Sequence, residues 1–225
     1  MNKITAFIIA LTIGMSVMAQ GNSSSEAGNG CVEDVTLDRI LLVMPDSLMP
    51  LLSVSDRQDF LDYRESGMVG RATNRLGGES TMTYSSDRRL TISTSGSGQM
   101  HMSLLERRGG GHLVCVVNTV TAGGFRDSRI GFYDVGWNHF PVQSFIKLPV
   151  LDDFLKKEYL KSDSAAMLRR QTVLEMYEIT LTDDGLEIAL TSQDYLGEDA
   201  PKFAHFFRET PLRYRWNGKR FTLVK

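Results

Sequence analysis

The chain has 225 residues, of which 42% are hydrophobic and 23% charged. This is the composition of an ordinary globular protein, and it excludes a disordered, collagenous or multi-span membrane protein. The 25 Lys and Arg residues against 27 Asp and Glu give a net charge of −2. Without a basic excess to neutralise phosphates, the chain is not expected to bind nucleic acid.

The first 19 residues have the pattern of a cleavable secretory signal peptide. Lys3 supplies the positive start, an apolar run extends from Ile4 to Met18, and Ala19 precedes the expected cleavage before Gln20. A transmembrane anchor is the alternative, but the run of about 15 residues is short of the ~20 that a bilayer requires. We therefore expect export to the periplasm or the extracellular space, with no membrane span in the mature chain.

Residues 20–31 are small and polar, as in a flexible linker. The linker ends at Cys31, and the only other cysteine is Cys115. An oxidising compartment permits a disulfide between the two. The alternative is that Cys115, within an apolar run, is a buried free thiol.

The coarse secondary structure follows from the spacing of apolar residues. A helix is predicted over 55–66 with Ser55 as its N-cap, and a second helical segment over 151–161, continued from Asp163 to Arg170. Between Thr81 and Val135 the apolar period is two, which predicts successive strands separated by Gly- and Ser-rich turns. The run from Leu113 to Val120 is apolar at nearly every position, which predicts a central strand covered on both faces.

The last third of the chain predicts two β-hairpins. The first turns at Asp184-Gly185 and the second at Asn217-Gly218, with sharply divided apolar and polar faces on the flanking strands. Such faces predict sheets that pack on one side only, against helices. The predicted fold class is therefore α+β, with a mostly antiparallel sheet and a few helices.

A weak internal repeat relates the two halves of the mature chain. The segments that begin at Asp59-Phe60-Leu61 and at Asp153-Phe154-Leu155 are each followed, about 30 residues later, by a strand. The repeat predicts two tandem modules over 32–145 and 146–225, each a helix followed by about four strands. One continuous domain is the alternative.

Catalytic chemistry is not indicated by any motif. The four histidines are dispersed, and two cysteines without a neighbouring pair of histidines do not make a closed zinc site. The paired aspartates sit where helix caps and turns are expected. We therefore predict no catalytic residues, no metal and no cofactor.

The segment 127–140 is the best candidate for a binding surface. Its aromatic residues alternate with hydrogen-bonding groups, and Tyr133, Trp137 and His139 share one parity, so they are expected on one side with Asp134 beside them. Aromatic residues with polar tips are frequent in recognition surfaces. The alternative is that Phe132 and Trp137 belong to the core.

Several short motifs give the chain a family likeness. They are Met44-Pro45-Asp46, Pro50-Leu51-Leu52, Arg57, Asp62-Tyr63, Asn74, Leu76-Gly77-Gly78, Asp127-Ser128, Phe132-Tyr133-Asp134, Trp137 and Leu148-Pro149. Together they resemble a family of uncharacterised exported proteins of Bacteroidales, a domain of unknown function. The resemblance implies a source and an exported location but no activity and no site.

Two classes of function remain. The first is a non-catalytic binding protein that interacts with an envelope protein or glycan. The second is a hydrolase acting on envelope or dietary glycans or peptides. The first fits better, because no nucleophile, base and orienting group can be assembled from the sequence.

Overall fold

In the computed structural model of the chain, the segment of period-two hydrophobicity forms the five inner strands of an antiparallel sheet of seven strands. The strands lie in the sheet in the same order as in the sequence. They are β1 (Arg71–Thr73), β2 (Glu79–Ser85), β3 (Arg89–Ser93), β4 (Gly98–Glu106), β5 (His112–Ala122), β6 (Phe125–Tyr133) and β7 (His139–Phe140). Strand β5, with 11 residues, pairs with β4 on one side and β6 on the other, so it lies inside the sheet.

The central strand β5 is buried on both faces, as the sequence predicts. Leu113, Cys115 and Val117 enter one hydrophobic core, and Val114 and Val116 enter the other. Cys115 is a free thiol, and its complete burial raises the pKa of that thiol far above the ordinary range. The prediction of a strand covered on both faces is therefore confirmed for this segment, because successive apolar residues of β5 enter different cores.

Two helices, α1 (Leu37–Leu42) and α2 (Val54–Glu65), cover the face of this sheet that carries Val114 and Val116. The N-cap of α2 is Ser53, and the prediction of Ser55 as the N-cap is wrong. The Asp56 carboxylate accepts from the Ser53 N–H at 2.7 Å, and the Ser53 hydroxyl accepts from the Asp56 N–H at 3.2 Å. This reciprocal capping box fixes the start of the helix.

A second antiparallel sheet of four strands covers the other face. It contains β8 (Tyr177–Leu181), β9 (Gly185–Leu190), β10 (Leu212–Trp216) and β11 (Phe221–Leu223), in the order β11-β10-β9-β8. Both predicted hairpins are confirmed by the pairing of β8 with β9 and of β10 with β11. The inner face joins the core, and the outer face carries ion pairs such as Arg213–Glu187 at 2.8 Å.

The predicted helical segment after residue 150 is only partly helical. Helix α3 (Asp163–Gln171) forms, with Ser162 as its N-cap, but before it the chain makes two 3₁₀ turns, Leu151–Phe154 and Lys157–Tyr159. Between those turns Leu155 is extended and forms an antiparallel bridge with Phe207. This tertiary pairing takes the backbone groups that a continuous helix would have used.

The segment that pairs there follows a short helix, α4 (Ala200–Phe203), and a 3₁₀ turn, Ala204–Phe206. The Lys156 N–H donates to the Phe206 carbonyl at 2.8 Å, and the Arg208 N–H donates to the Phe154 carbonyl at 2.9 Å. These contacts close the side of the core between the two sheets.

The structure describes residues 35–172, 174–192 and 200–224. The predicted signal peptide (1–19), the linker (20–31) and Cys31 lie outside these residues. The described residues belong to one compact unit, Asp34–Lys225. The α+β fold class with mostly antiparallel strands is confirmed. In the described part of the chain, no helix combines the length and apolarity that a membrane crossing requires.

Candidate functional site

Three of the four predicted binding residues meet at the junction of β6 and β7. The ring centroids of Tyr133 and Trp137 are 5.3 Å apart, and those of Tyr133 and His139 are 5.4 Å apart. Tyr133 and His139 are paired directly across the two strands. The side chains therefore lie together, in the arrangement that their parity in the sequence predicts.

Trp137 itself is part of the hydrophobic core, with only 8% of its surface exposed. Its indole N–H donates to the main-chain carbonyl of Ile40 in α1 at 3.1 Å. Tyr133 is half-buried against it, and burial raises the pKa of the Tyr133 phenol. His139 is exposed. The open part of this cluster is therefore His139 and the outer edge of Tyr133.

Asp134 organises the turn between β6 and β7. One carboxylate oxygen accepts from the N–H groups of Gly136 and Asn138, both at 2.9 Å, and the other accepts from the Asn138 amide at 2.8 Å. These hydrogen bonds, those from Asn138 above all, lower the pKa of the Asp134 carboxyl. The carboxylate is held charged, with its acceptor positions directed along the turn.

The edge of β6, before the part that pairs with β7, lines a cleft of about 280 Å³, which we call the β6–β8 cleft. Its apolar residues come from four separate segments of the chain. They are Ile130 of β6, Leu148 and Pro149 of the extended stretch before the 3₁₀ turns, and Ile179 and Ile188 of the second sheet. Polar side chains at the cleft are Asp127, Ser128, Arg129, Glu175 and Tyr177.

The cleft exists because β6 and β8 meet through side chains and do not pair as strands. The Ser128 hydroxyl accepts from the Ile179 N–H at 3.0 Å, and the Asp127 carboxylate accepts from the Tyr177 N–H at 3.4 Å. On this side β6 pairs with β7 only at Phe132 and Tyr133, among the described residues. The earlier part of the strand edge thus faces the cleft.

Tyr177 is the most perturbed titratable group in the cleft. Its ring stacks on Phe154 with centroids 5.7 Å apart, and its hydroxyl donates to the Glu175 carboxylate. Burial, followed by the Glu175 hydrogen bond and the charges of Asp153 and Asp127, raises the pKa of the phenol well above its usual range. Tyr177 therefore stays neutral, in a region of negative potential.

Arg129 is the cation that lines the cleft. Its side chain is exposed and, within the described ranges, its guanidinium takes part in no ion pair. Arg129 lies in the segment 127–140 that was predicted as a binding surface, whereas Glu175 and Tyr177 lie outside it. Tyr177 contacts Asp127 across 50 residues of sequence, and no local pattern reports a contact at that distance.

Among the described residues, no group of three or more His, Cys, Asp or Glu side chains is arranged to hold a metal ion. What the β6–β8 cleft presents is an apolar surface with charged groups at its edge.

Comparison with known proteins places the chain in a family. The model of a family described as "Protein of unknown function (DUF3256)" matches residues 32–221. The chain belongs to the DUF3256 family. The match includes β6, β8 and every residue of the β6–β8 cleft, so the cleft is part of the DUF3256 domain.

This DUF3256 protein is also similar to a solved structure, a domain of an uncharacterized protein from Porphyromonas gingivalis W83. The two sequences are 28% identical, the TM-score is 0.74, and the match covers 84% of this chain and 98% of that chain. No curated protein matches. The expected relationship to a domain of unknown function is confirmed, and the Bacteroidales source of the relative agrees with the family likeness.

Proposed function

We propose that this DUF3256 protein is an exported binding protein, and that the β6–β8 cleft takes an apolar side chain of a partner protein with a positive charge beside it. The observation that carries the proposal is the combination of apolar walls and acidic edge. Apolar pockets with a few convergent polar groups are the usual form of a recognition site.

The apolar part of the cleft supports insertion of a side chain. Leu148 is 42% exposed, and Pro149 next to it is buried. Filling the cleft removes Leu148 and the half-buried Ile130 from water, which favours binding by about 25 cal/mol for each Å² of apolar surface covered. The volume of about 280 Å³ suits one large side chain and excludes a long segment.

The charges supply the second part of the recognition. Asp127 and Glu175 line the cleft, and Arg129 is the one cation among its described lining residues. The charge of Asp153 also acts on Tyr177. A cationic group next to the inserted side chain would be attracted to this acidic edge. Glu175, which already accepts from the Tyr177 hydroxyl, is fixed in position to receive it.

A small aromatic cation, p-aminobenzamidine, tests the cleft, because its fluorescence rises in an apolar site and its amidinium pairs with carboxylates. We expect binding to weaken at least about threefold in Glu175→Gln, the equivalent of a partly exposed ion pair. Leu148→Ser should weaken it similarly. Leu76→Ser is the control, since Leu76 is 81% exposed on the turn between β1 and β2.

The proposal is contradicted if the probe does not bind, or if both cleft variants bind it as the wild type does. Equal binding of an anionic aromatic probe with the same dependence on Glu175 would contradict the charge assignment. A hydrolytic activity of the purified protein that His139→Ala abolishes would favour the hydrolase over a binding protein.

The location is a separate part of the proposal and rests on residues 1–19. We propose export with cleavage between Ala19 and Gln20. N-terminal sequencing or the intact mass of the protein from its native envelope or medium measures this directly. A mature protein that retains residues 1–19 would contradict export by cleavage, and an acyl group on Cys31 would identify a lipid-anchored protein.

A further inference from the structure

A second cleft, of about 520 Å³, lies where four hairpin turns meet. The turns are those between β2 and β3, between β4 and β5, between β8 and β9, and between β10 and β11. We call it the arginine cleft, because four arginines line it: Arg88, Arg107, Arg108 and Arg215. It is separate from the β6–β8 cleft, with which it shares no lining residue.

The three carboxylates of the arginine cleft are each engaged in an ion pair. Glu106 accepts from Arg88 at 2.6 Å, and Asp184 accepts from Arg215 at 3.1 Å. Asp183 accepts at 2.7 Å from Arg89, which lies just outside the lining. The negative charges of the cleft are therefore already matched by arginines.

Arg107 and Arg108 remain without a carboxylate. Both side chains are exposed, and among the described residues neither takes part in an ion pair. The cleft thus carries two uncompensated positive charges, although the chain as a whole has a net charge of −2. Arginines whose charge no carboxylate neutralises attract anions to the cleft.

The backbone that carries these arginines is fixed by contacts between hairpins. The Arg108 N–H donates to the Gly218 carbonyl at 2.7 Å, and the Trp216 indole N–H donates to the Glu106 carbonyl at 2.7 Å. Two adjacent strand ends are thereby held in one position. The guanidinium groups start from a rigid base, which lowers the entropy lost when they close on a ligand.

We propose that the arginine cleft binds a phosphate group through Arg107 and Arg108. Guanidinium groups bind phosphate oxygens in pairs of parallel hydrogen bonds. The two negative charges of a phosphate dianion would neutralise the two positive charges of Arg107 and Arg108. The indole of Trp216, which also lines the cleft, offers a flat surface for the group that carries the phosphate. The phosphate belongs either to a soluble molecule or to a lipid headgroup.

Calorimetric titration of the purified protein with inorganic pyrophosphate tests the soluble source. Flotation with phosphatidylcholine vesicles that contain phosphatidic acid tests the lipid source. We expect binding in one of these assays and a loss of about tenfold or more in Arg107→Gln/Arg108→Gln, because two charge-assisted contacts are removed. Raising the salt concentration should weaken the wild-type interaction.

The matched control is Arg170→Gln/Arg208→Gln, which removes two exposed arginines that do not line the cleft. Arg107→Lys/Arg108→Lys keeps the positive charge but removes the paired hydrogen bonds of the guanidinium groups, so it should retain only part of the affinity. This variant distinguishes paired hydrogen bonding to phosphate from attraction by charge alone. Thermal melting of every variant shows whether the fold is intact. If the double Gln variant unfolds, the single Arg107→Gln variant answers the question.

The proposal is overturned if neither pyrophosphate nor the acidic vesicles bind, or if the double Gln variant binds as tightly as the wild type. It is also overturned if the control variant loses as much affinity, or if malonate, a dicarboxylate, binds as well as pyrophosphate. None of these results depends on the β6–β8 cleft.

Discussion

The indole N–H of Trp137 donates a hydrogen bond to the main-chain carbonyl of Ile40, 3.1 Å away and 97 residues earlier in the chain. Trp137 has a φ of +67°, and it is the single non-glycine residue with positive φ in the described part of the structure. A left-handed conformation costs an L-residue about 1–2 kcal/mol. The contact with α1 and the burial of the ring offset that cost.

Replacement of Trp137 separates the stabilisation by its side chain from the cost of its left-handed backbone. Trp137→Ala should lower the free energy of unfolding by about 3–5 kcal/mol, as truncation of a buried aromatic side chain does. Trp137→Gly should be more stable than Trp137→Ala by about 1 kcal/mol, because glycine accepts positive φ. Urea unfolding of both variants measures the difference. Equal stability of Ala and Gly would contradict the backbone argument.

Arg57 connects the N-terminal segment to α2, and its side chain is fully buried. Its guanidinium donates to the main-chain carbonyls of Leu41 and Met44 and, at 2.7 Å, to the Asp46 carboxylate. The motif Met44-Pro45-Asp46 and the distant Arg57 of the family likeness are therefore parts of one structural contact. This contact holds the chain between α1 and α2 against the sheet.

We expect Arg57→Met to lower the free energy of unfolding by about 3 kcal/mol, because buried carbonyls lose their donor. Arg75→Gln is the matched control. Arg75 also pairs with Asp46, at 2.9 Å, but both side chains are about half exposed. Such a pair contributes less than about 1 kcal/mol. Chemical denaturation measures both, and a similar loss in the two variants would contradict the assigned role of Arg57.

Gly218 holds the hairpin between β10 and β11 against the turn between β4 and β5. Its φ is +84°, and a Cβ atom there would lie 3.0 Å from Cβ of Arg108. Gly218→Val should therefore cost about 2 kcal/mol or more, since a β-branched residue is strained at positive φ. Gly96→Val is the control, because no heavy atom lies within 4 Å of a Cβ at Gly96. An unchanged melting temperature of Gly218→Val would contradict this account.

The fold follows from the sequence where the apolar pattern is long enough to show its period. The hairpin of β8 and β9 is predicted because five or six residues alternate on each side of one turn. Strands β1 and β7 were not predicted, since three and two residues are too few to show alternation. The helix expected over 151–161 fails for another reason: the partner of Leu155 is Phe207, which no local pattern can indicate.

The candidate site likewise has a part that the sequence predicts and a part that it does not. Strand parity predicts that Tyr133 and His139 lie together, because both belong to a local hairpin. The left-handed residue of the turn is Trp137 and not its neighbour Gly136, and the contact of the Trp137 side chain with α1 holds it there. The β6–β8 cleft combines segments far apart in sequence, and so neither Glu175 nor Tyr177 could be identified before the fold was known.

The partly buried His101 predicts a pH dependence of stability. Burial lowers the pKa of the His101 imidazole below its ordinary 6.5, and its Nδ1 is 3.0 Å from the Thr91 hydroxyl. The unfolded chain then binds a proton at a higher pH than the folded chain does. Stability should therefore fall as the pH drops below about 6.5 towards the folded-state pKa. Glu178, whose charge favours the imidazolium, reduces this effect.

Urea midpoints measured above and below about pH 6.5 for the wild type, His101→Gln and His139→Gln test this assignment. His101→Gln should remove part of the loss at acidic pH. His139→Gln, at an exposed position, should leave the pH profile as it is in the wild type. Identical profiles for all three proteins would contradict the role of His101.

The exposed edge of the aromatic cluster is the last test of the predicted binding surface. His139→Ala should change the free energy of unfolding by no more than about 0.5 kcal/mol, because the ring is exposed. Tyr133→Phe keeps the ring and removes only the hydroxyl, so its stability should also be close to that of the wild type. If His139 and Tyr133 contact a partner, both variants should capture less of it from the native envelope while melting normally. Wild-type capture by both variants, with reduced capture by Leu148→Ser, would restrict recognition to the β6–β8 cleft and make the prediction for Tyr133 and His139 wrong.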